Sequence, residues 1–358
     1  MRRVSLGFIA LAVAALMAGC GGAEPEPPNV AGPNSGPPGS EQSAAARNGD
    51  PASGDSTDGK TAATIEMPAE PPMPAAVIPS RRPEKPLKVG VCLLTRAHQF
   101  YKDLEAAMQA EAPKQNITLL IQASEGDAAV EQRTVQTMLS QGIDALILCP
   151  VNSQGSGSTV RLANEAKVPV FTADIAAKSG DVVCHVASNN EQGGELIGEF
   201  LAEKIGGKGD VAIIDFPTVT SVQERVKGFE KAIARHPGIK IVARPAPDMA
   251  VQAKAFPIAQ DLLQSHPGLK GIFGINDDCA LAAAQAASGP DWKNLVVVGF
   301  DATPQAQNVM RQGGVLKADA AQFPGVIGRA VVAAVARHSL GESLPKSAPI
   351  PTALVKAN

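Results

Sequence analysis

Short runs rich in β-branched and aliphatic residues alternate with helix-patterned stretches from residue 87 to residue 356, and this alternation restricts the fold more than any other feature of the chain. The runs cover residues 88–94, 117–122, 145–149, 168–172, 182–186, 211–215, 239–243, 271–275, 295–300 and 316–320. Several are apolar throughout, as expected for parallel strands covered on both faces. Between them, Val222, Val226, Phe229 and Ile233 mark one face of a helix, as do Val135, Met138 and Leu139 after the acidic start Glu125-Gly126-Asp127. A βαβ alternation of this length predicts an α/β fold of two doubly wound parallel-sheet lobes rather than one.

The N-terminus reads differently. Arg2 and Arg3 precede the apolar run 6–18, which is too short to cross a bilayer needing roughly 20 residues, and small residues follow it. That pattern predicts a secretory signal over residues 1–19. The run ends in Leu16-Met17-Ala18-Gly19-Cys20, which resembles a bacterial lipobox and implies a lipid on Cys20. The competing reading is an ordinary signal peptide with a chance cysteine. Acyl chains contribute roughly 0.8 kcal/mol per buried methylene, so two or more would hold the protein on a membrane surface. Residues 20–86 are dense in Pro, Gly, Ala and Ser, with few groups to bury, and predict a disordered tether reaching about 45 Å as a flexible coil. The solute-binding domain then occupies residues 87–358.

The net charge of -3 argues against a nucleic-acid partner. Cys92, Cys149, Cys184 and Cys279 are scattered singly with no C-x-x-C pair, which predicts buried thiols rather than a metal cluster or a disulfide framework. A Cys92–Cys149 bridge stays open, because spacing alone does not fix its geometry. The chain carries no G-x-G-x-x-G, P-loop, H-E-x-x-H or G-x-S-x-G motif, so neither an enzyme nor a cofactor or metal site is expected.

In open α/β sheets, ligands bind beyond the carboxyl ends of the strands, where loops and helix N-termini converge. Polar residues recur there: Asp174 after the run 168–172, Asn276 after 271–275, Asp301 after 295–300 and Gln322 after the last run. Phe100 and Tyr101 begin the helix after the first strand, and Arg225 lies near the start of another. Each alone reads equally as a helix cap or a core residue. Together they suit a polyol, whose hydroxyls both donate and accept while an aromatic face covers its C–H side.

At these positions the chain resembles the type 1 periplasmic sugar-binding proteins, especially the ribose-binding branch. The resemblance runs over residues 87–356. It includes Gln99-Phe100-Tyr101, Gly142-Ile143-Asp144-Ala145-Leu146-Ile147 with Pro150, and Val168-Pro169-Val170 leading to Asp174. It continues through Ser188-Asn189-Asn190, Gly193-Gly194, Arg225-Val226-Lys227-Gly228-Phe229, Asn276-Asp277, Val298-Gly299-Phe300-Asp301 with Pro304, and Gln322. It implies that Phe100 and Tyr101 stack on a sugar while Asp174, Arg225, Asn276, Asp301 and Gln322 bond its hydroxyls. His98 stands where the ribose proteins use Asn, and is either a hydroxyl ligand or a solvated loop histidine. Ile175 replaces an Arg of the ribose branch, and Met249 or its neighbour replaces a ring that closes the other sugar face. Both departures imply a pocket less polar and less aromatic than a ribose site, better suited to a deoxy or methyl-bearing sugar.

The resemblance further implies three hinge crossings, near residues 188–190, 322–324 and 350–352. One lobe would comprise about 87–188 and 323–350, the other about 189–322 and 351–358, closing on the ligand. The implied partner is an ABC transporter permease. The alternative is a receptor that presents its liganded form to a membrane kinase or chemoreceptor. The same domain serves LacI-type repressors, but those carry an N-terminal helix-turn-helix, and here that space holds a signal and a tether.

Overall fold

The structure is a computed structural model that describes residues 64–357. The signal, Cys20 and most of the tether expected from the sequence lie outside the described residues. Strands β1 (Leu87–Leu93), β2 (Ile117–Ala123), β3 (Ala145–Leu148), β4 (Val170–Ala173) and β5 (Val182–Ser188) come first. They are followed by β6 (Lys208–Ile214), β7 (Gly238–Ala243), β8 (Gly271–Gly274), β9 (Val296–Asp301) and β10 (Leu316–Ala321). Two short strands, β11 (Ser347–Ile350) and β12 (Ala353–Lys356), end the described chain. The interleaved helices are α1 (Gln99–Glu111), α2 (Ala128–Ser140), α3 (Gly157–Glu165), α4 (Asn190–Lys204) and α5 (Thr220–Ile233). After them come α6 (Gln252–Ser265), α7 (Asp277–Ala286), α8 (Pro304–Arg311) and α9 (Pro324–Ser339).

Two six-stranded sheets result, in the orders β11-β5-β4-β3-β1-β2 and β12-β10-β9-β8-β6-β7. Every neighbouring pair is parallel except β10 with β12. The first sheet, with α1–α3 and α9, makes lobe 1; the second, with α4–α8, makes lobe 2. The chain passes between them after β5, after β10 and between β11 and β12. Every strand run read from the sequence coincides with a strand to within three residues. The two that were not foreseen are four residues long and flank Pro351 and Thr352, too short for a period to register. No helix among the described residues is long and apolar enough to cross a membrane.

One sequence expectation needs correction and one open alternative is resolved. The tether does not extend to residue 86: Val77 is fully buried, and Ile65 and Met73 pack on the core. Arg329 of α9 bonds Glu70 at 2.7 Å, and Arg337 donates to the Ile78 carbonyl. Averaged composition hid these few apolar anchors. The open Cys92–Cys149 pairing also closes. The four cysteines of the domain are buried and free, and Cys92 and Cys149 lie in separate core clusters, with Cys92 opposite Leu148 in the β1–β3 register. Alternation along the strands turns the two thiols to opposite faces of the sheet.

Candidate functional site

In lobe 1, β1 leads through Leu94 to His98 at the start of α1, and Phe100 and Tyr101 occupy the first turn. The two rings meet edge to face, 5.3 Å apart at 86°. Asp174 follows β4 directly in a left-handed conformation, φ 64°. The Tyr101 hydroxyl donates to Asp174 Oδ2 at 2.5 Å, and both residues are buried. Burial pushes the tyrosine well above its usual range, with the adjacent carboxylate acting in the same direction, so it remains a donor. Burial also raises Asp174, opposed by Arg225 and the tyrosine bond. Asp174 Oδ1 receives no hydrogen bond among the described residues.

Lobe 2 is wired more heavily. Helices α4 and α5 touch backbone to backbone, because a side chain at Gly194 would meet the Arg225 carbonyl and one at Gly228 the Glu191 carbonyl. That approach brings Asn190, in the first turn of α4, to Arg225 on α5. Arg225 Nε donates to Asn190 Oδ1 at 2.9 Å and its Nη1 to the Ile275 carbonyl at 2.9 Å. The guanidinium lies 4.0 Å from the Phe300 ring centroid, and its Nη1 is 3.8 Å from Asp301 Oδ1. Gln322 donates to the same Asp301 oxygen at 2.6 Å, while its own Oε1 is buried without a partner. Burial pushes the Asp301 carboxyl up to about 8 despite the opposing Arg225 charge. Asn276 caps α7 by accepting from Cys279 N and donates to the Ala250 carbonyl, which leaves one of its N–H groups for a ligand.

These groups converge although they are far apart in sequence. His98, Phe100, Tyr101, Asp174, Arg225, Asn276, Asp301 and Gln322 all border one cavity between the lobes. Its space for solvent centres is about 40 Å³, a few times the roughly 10–15 Å³ that one water needs. The cavity therefore has room for a few water-sized groups. A depression of about 880 Å³ by the same measure lies outside lobe 2, along α4. Its larger size does not make it the better site: Glu191 and Glu195 there are already paired with Lys227 and Lys231. Among the described residues no group of three or more His, Cys, Asp or Glu side chains is placed to hold a metal ion.

Met249 does not border the cavity; Ala250 does. Met249 has φ 55° and its sulfur lies against Gly126 of lobe 1, so the sequence assignment was one residue off in an irregular turn. Its carbonyl lies 3.1 Å from His98 Nε2. His98 is thus no solvated loop histidine but a bridge between lobes, and burial lowers its pKa against the pull of Asp278. Sequence reasoning also missed Phe216, which lines the cavity from lobe 2. Because it lies just past the β6 strand end, the rule that found Asp301 would have found it. Its ring supplies an aromatic group opposite Phe100 and Tyr101, so the pocket is less depleted of aromatics than expected.

The lobes are closed on each other. Ser153 N donates to the Thr218 carbonyl at 3.2 Å, Ala176 N to Thr220 Oγ1 at 2.9 Å, and Thr220 N to Ser153 Oγ at 2.9 Å.

Comparison with known proteins agrees with this fold. The model of the periplasmic binding protein domain matches residues 89–343. The ribose import binding protein RbsB of Salmonella typhimurium is 32% identical over 268 residues, 75% of this chain and 90% of that protein. A D-apiose import binding protein of Actinobacillus succinogenes is 29% identical, over 65% of this chain and 76% of its own length. Among solved structures, an ABC transporter solute-binding protein from Mycobacterium smegmatis with bound glycerol superposes with a TM-score of 0.72 at 31% identity, covering 76% of this chain and 94% of that one. The chain belongs to the periplasmic binding protein family, in its type 1, sugar-binding branch.

Proposed function

We propose that this protein is the solute-binding component of a sugar ABC transporter, that it closes its two lobes around one small sugar, and that Asp174, Arg225, Asn276, Asp301 and Gln322 hold the hydroxyls. The observation that carries this reading is the pair of buried oxygens without donors, Asp174 Oδ1 and Gln322 Oε1, bordering one small cavity beside Arg225 and Asp301. Buried polar groups left without partners are costly, and sugar hydroxyls donate to acceptors of this kind. His98, Phe100 and Tyr101 supply the lobe 1 wall. Relatives with this architecture are named as import and solute-binding proteins, which favours a permease over a sensor kinase as the partner.

Membership of the family makes the chain an exported, periplasmic protein. We assign residues 1–19 to the signal and Cys20 to a lipid anchor, supported by the charged start, the short apolar run and the small residues before Cys20. A Cys20→Ser variant is then expected in the soluble fraction. The ligand reading is tested by thermal shift over pentoses, hexoses and polyols. A ligand at 100 times its dissociation constant adds roughly 2.7 kcal/mol of stability. A panel that leaves the melting temperature unchanged for every polyol, while an amino acid or peptide raises it, overturns the reading.

A further inference from the structure

The cavity has a polar side and an apolar corner. Ile175, from lobe 1, and Phe216, Val219 and Val222, from lobe 2, all border it. The four line one cavity, and closure joins the segment of Ile175 to that of Val219 and Val222, because Ala176 N donates to Thr220 Oγ1. Ile175, Val219 and Val222 are each under 5% exposed. Thr220 Oγ1, beside these residues, is taken up by the lobe–lobe bonds, which leaves Ser221 as the one serine or threonine that borders the cavity. Ser221 and the Arg225 guanidinium bound the corner on its polar side.

Resting on the sugar-binding reading, we infer that the ligand is a sugar bearing an apolar carbon, either a deoxy position or a methyl group, seated against Ile175, Val219, Val222 and Phe216. A fully hydroxylated sugar in the same pose drives one hydroxyl into this corner, where it exchanges water for aliphatic neighbours. Leaving a hydroxyl without partners costs roughly 5–150-fold in affinity. A methyl in the same place fills apolar space, and one carbon in a hydrophobic pocket is worth roughly 10–200-fold. The corner is assembled from both lobes, so this preference acts only on the closed state.

The test is isothermal titration of the full chain with matched pairs that differ by one hydroxyl: L-fucose against L-galactose, L-rhamnose against L-mannose, and 2-deoxy-D-ribose against D-ribose. In at least one pair the deoxy sugar is expected to bind about tenfold or more tightly than its parent. Val222→Thr, which keeps volume but adds a hydroxyl, is expected to shrink that ratio, and Ile175→Thr serves if the first variant melts early. If every parent binds as tightly as its deoxy partner, or if the wild-type ratio survives both substitutions, the inference is overturned while sugar binding stands. Absence of binding by every sugar in the panel overturns the sugar-binding reading itself.

Discussion

The two walls of the cleft are built on different principles. On the lobe 2 side, Arg225 is fixed by Asn190, the Ile275 carbonyl and the Phe300 ring, and Asp301 by Gln322, all of which lie in lobe 2 or at its hinge edge. The lobe 1 side offers rings and a single carboxylate, Asp174, tied by one bond to Tyr101. Lobe 2 thus presents a rigid, pre-oriented polar set before any ligand arrives, whereas lobe 1 contributes a lid of hydrophobic rings with one acceptor. Preorganisation lowers the ordering cost of binding, so lobe 2 is expected to be the side on which the proposed sugar first docks.

The largest expected effect follows from cutting the better-wired wall. Arg225→Met deletes the buried guanidinium together with its bonds to Asn190 Oδ1 and the Ile275 carbonyl, and a hydrogen bond made by a charged group is worth about 1.5–3 kcal/mol. Sugar binding should fall below detection, and lobe 2 should unfold earlier in urea. The only tryptophan of the chain, Trp292, lies in lobe 2 and reports that transition by fluorescence. Tyr101→Phe on the opposite wall removes a single bond to Asp174, a loss of about 1–3 kcal/mol in affinity with the Trp292 transition in place. If both variants cost the same in both measurements, the walls do not differ as described.

Protons provide a second way to separate the lobes. Asp301, in lobe 2, has a folded pKa of about 8, against roughly 3.9 for an unfolded aspartate. A carboxyl raised on folding binds its proton more tightly in the native state, so its contribution is greatest below the unfolded pKa and is lost as pH rises towards the folded one. His185, in lobe 1, lies 2.9 Å from Thr172 Oγ1 and is lowered by burial to about 4. Its sign is opposite: stability is lost as pH falls from the unfolded value near 6.5 towards 4. The two offset each other below about pH 6.5, which leaves a decline between about pH 6.5 and 8. Its slope is bounded at ~1.4 kcal/mol per pH unit for one proton. Burial raises Asp174, Asp277 and Asp319 as well, so Asp301→Asn should reduce the slope without abolishing it. Urea midpoints that are flat over this range, or an unchanged slope in the variant, would contradict the assignment.

How far the sequence carried this picture depended on whether a feature was local. Parallel strands buried on both faces leave continuous apolar runs, so both sheets were legible, and strand ends pointed to Asp174, Asn276, Asp301 and Gln322. Met249 was misplaced by one because residues 249 and 250 both take positive φ, a twist that no side-chain period reports. The supporting bonds were out of reach for another reason. Asn190 on Arg225, or Met249 carbonyl on His98, joins residues 35 and 151 positions apart. The buried Asp277 and Asp319 show the same limit. Asp319 is fully buried beside Asp277, whose carboxylate adds to burial in raising its pKa, yet in sequence it is one polar residue in an alanine-rich strand.

The smallest expected effect belongs to neither wall but to the seam between them. Thr220 begins α5 and holds lobe 1 through side chain and backbone, its Oγ1 accepting from Ala176 N at 2.9 Å and from Ser153 Oγ at 3.2 Å and its N–H donating to Ser153 Oγ at 2.9 Å. Thr220→Val keeps the shape and the backbone bond but deletes the acceptor. In an open protein water would satisfy Ala176 N, so the loss falls on the closed state alone. A net hydrogen bond is worth about 0.5–1.5 kcal/mol, which predicts a drop of roughly 2–12-fold in affinity. Closing contacts govern escape more than encounter, so stopped-flow measurements should place the change in the dissociation rate. The Trp292 transition of the ligand-free variant should match the wild type. A variant that lowers the stability of lobe 2, or one that slows association instead, would mean that Thr220 shapes a lobe and not the seam, and the division into two independently built walls would then need a third, shared element.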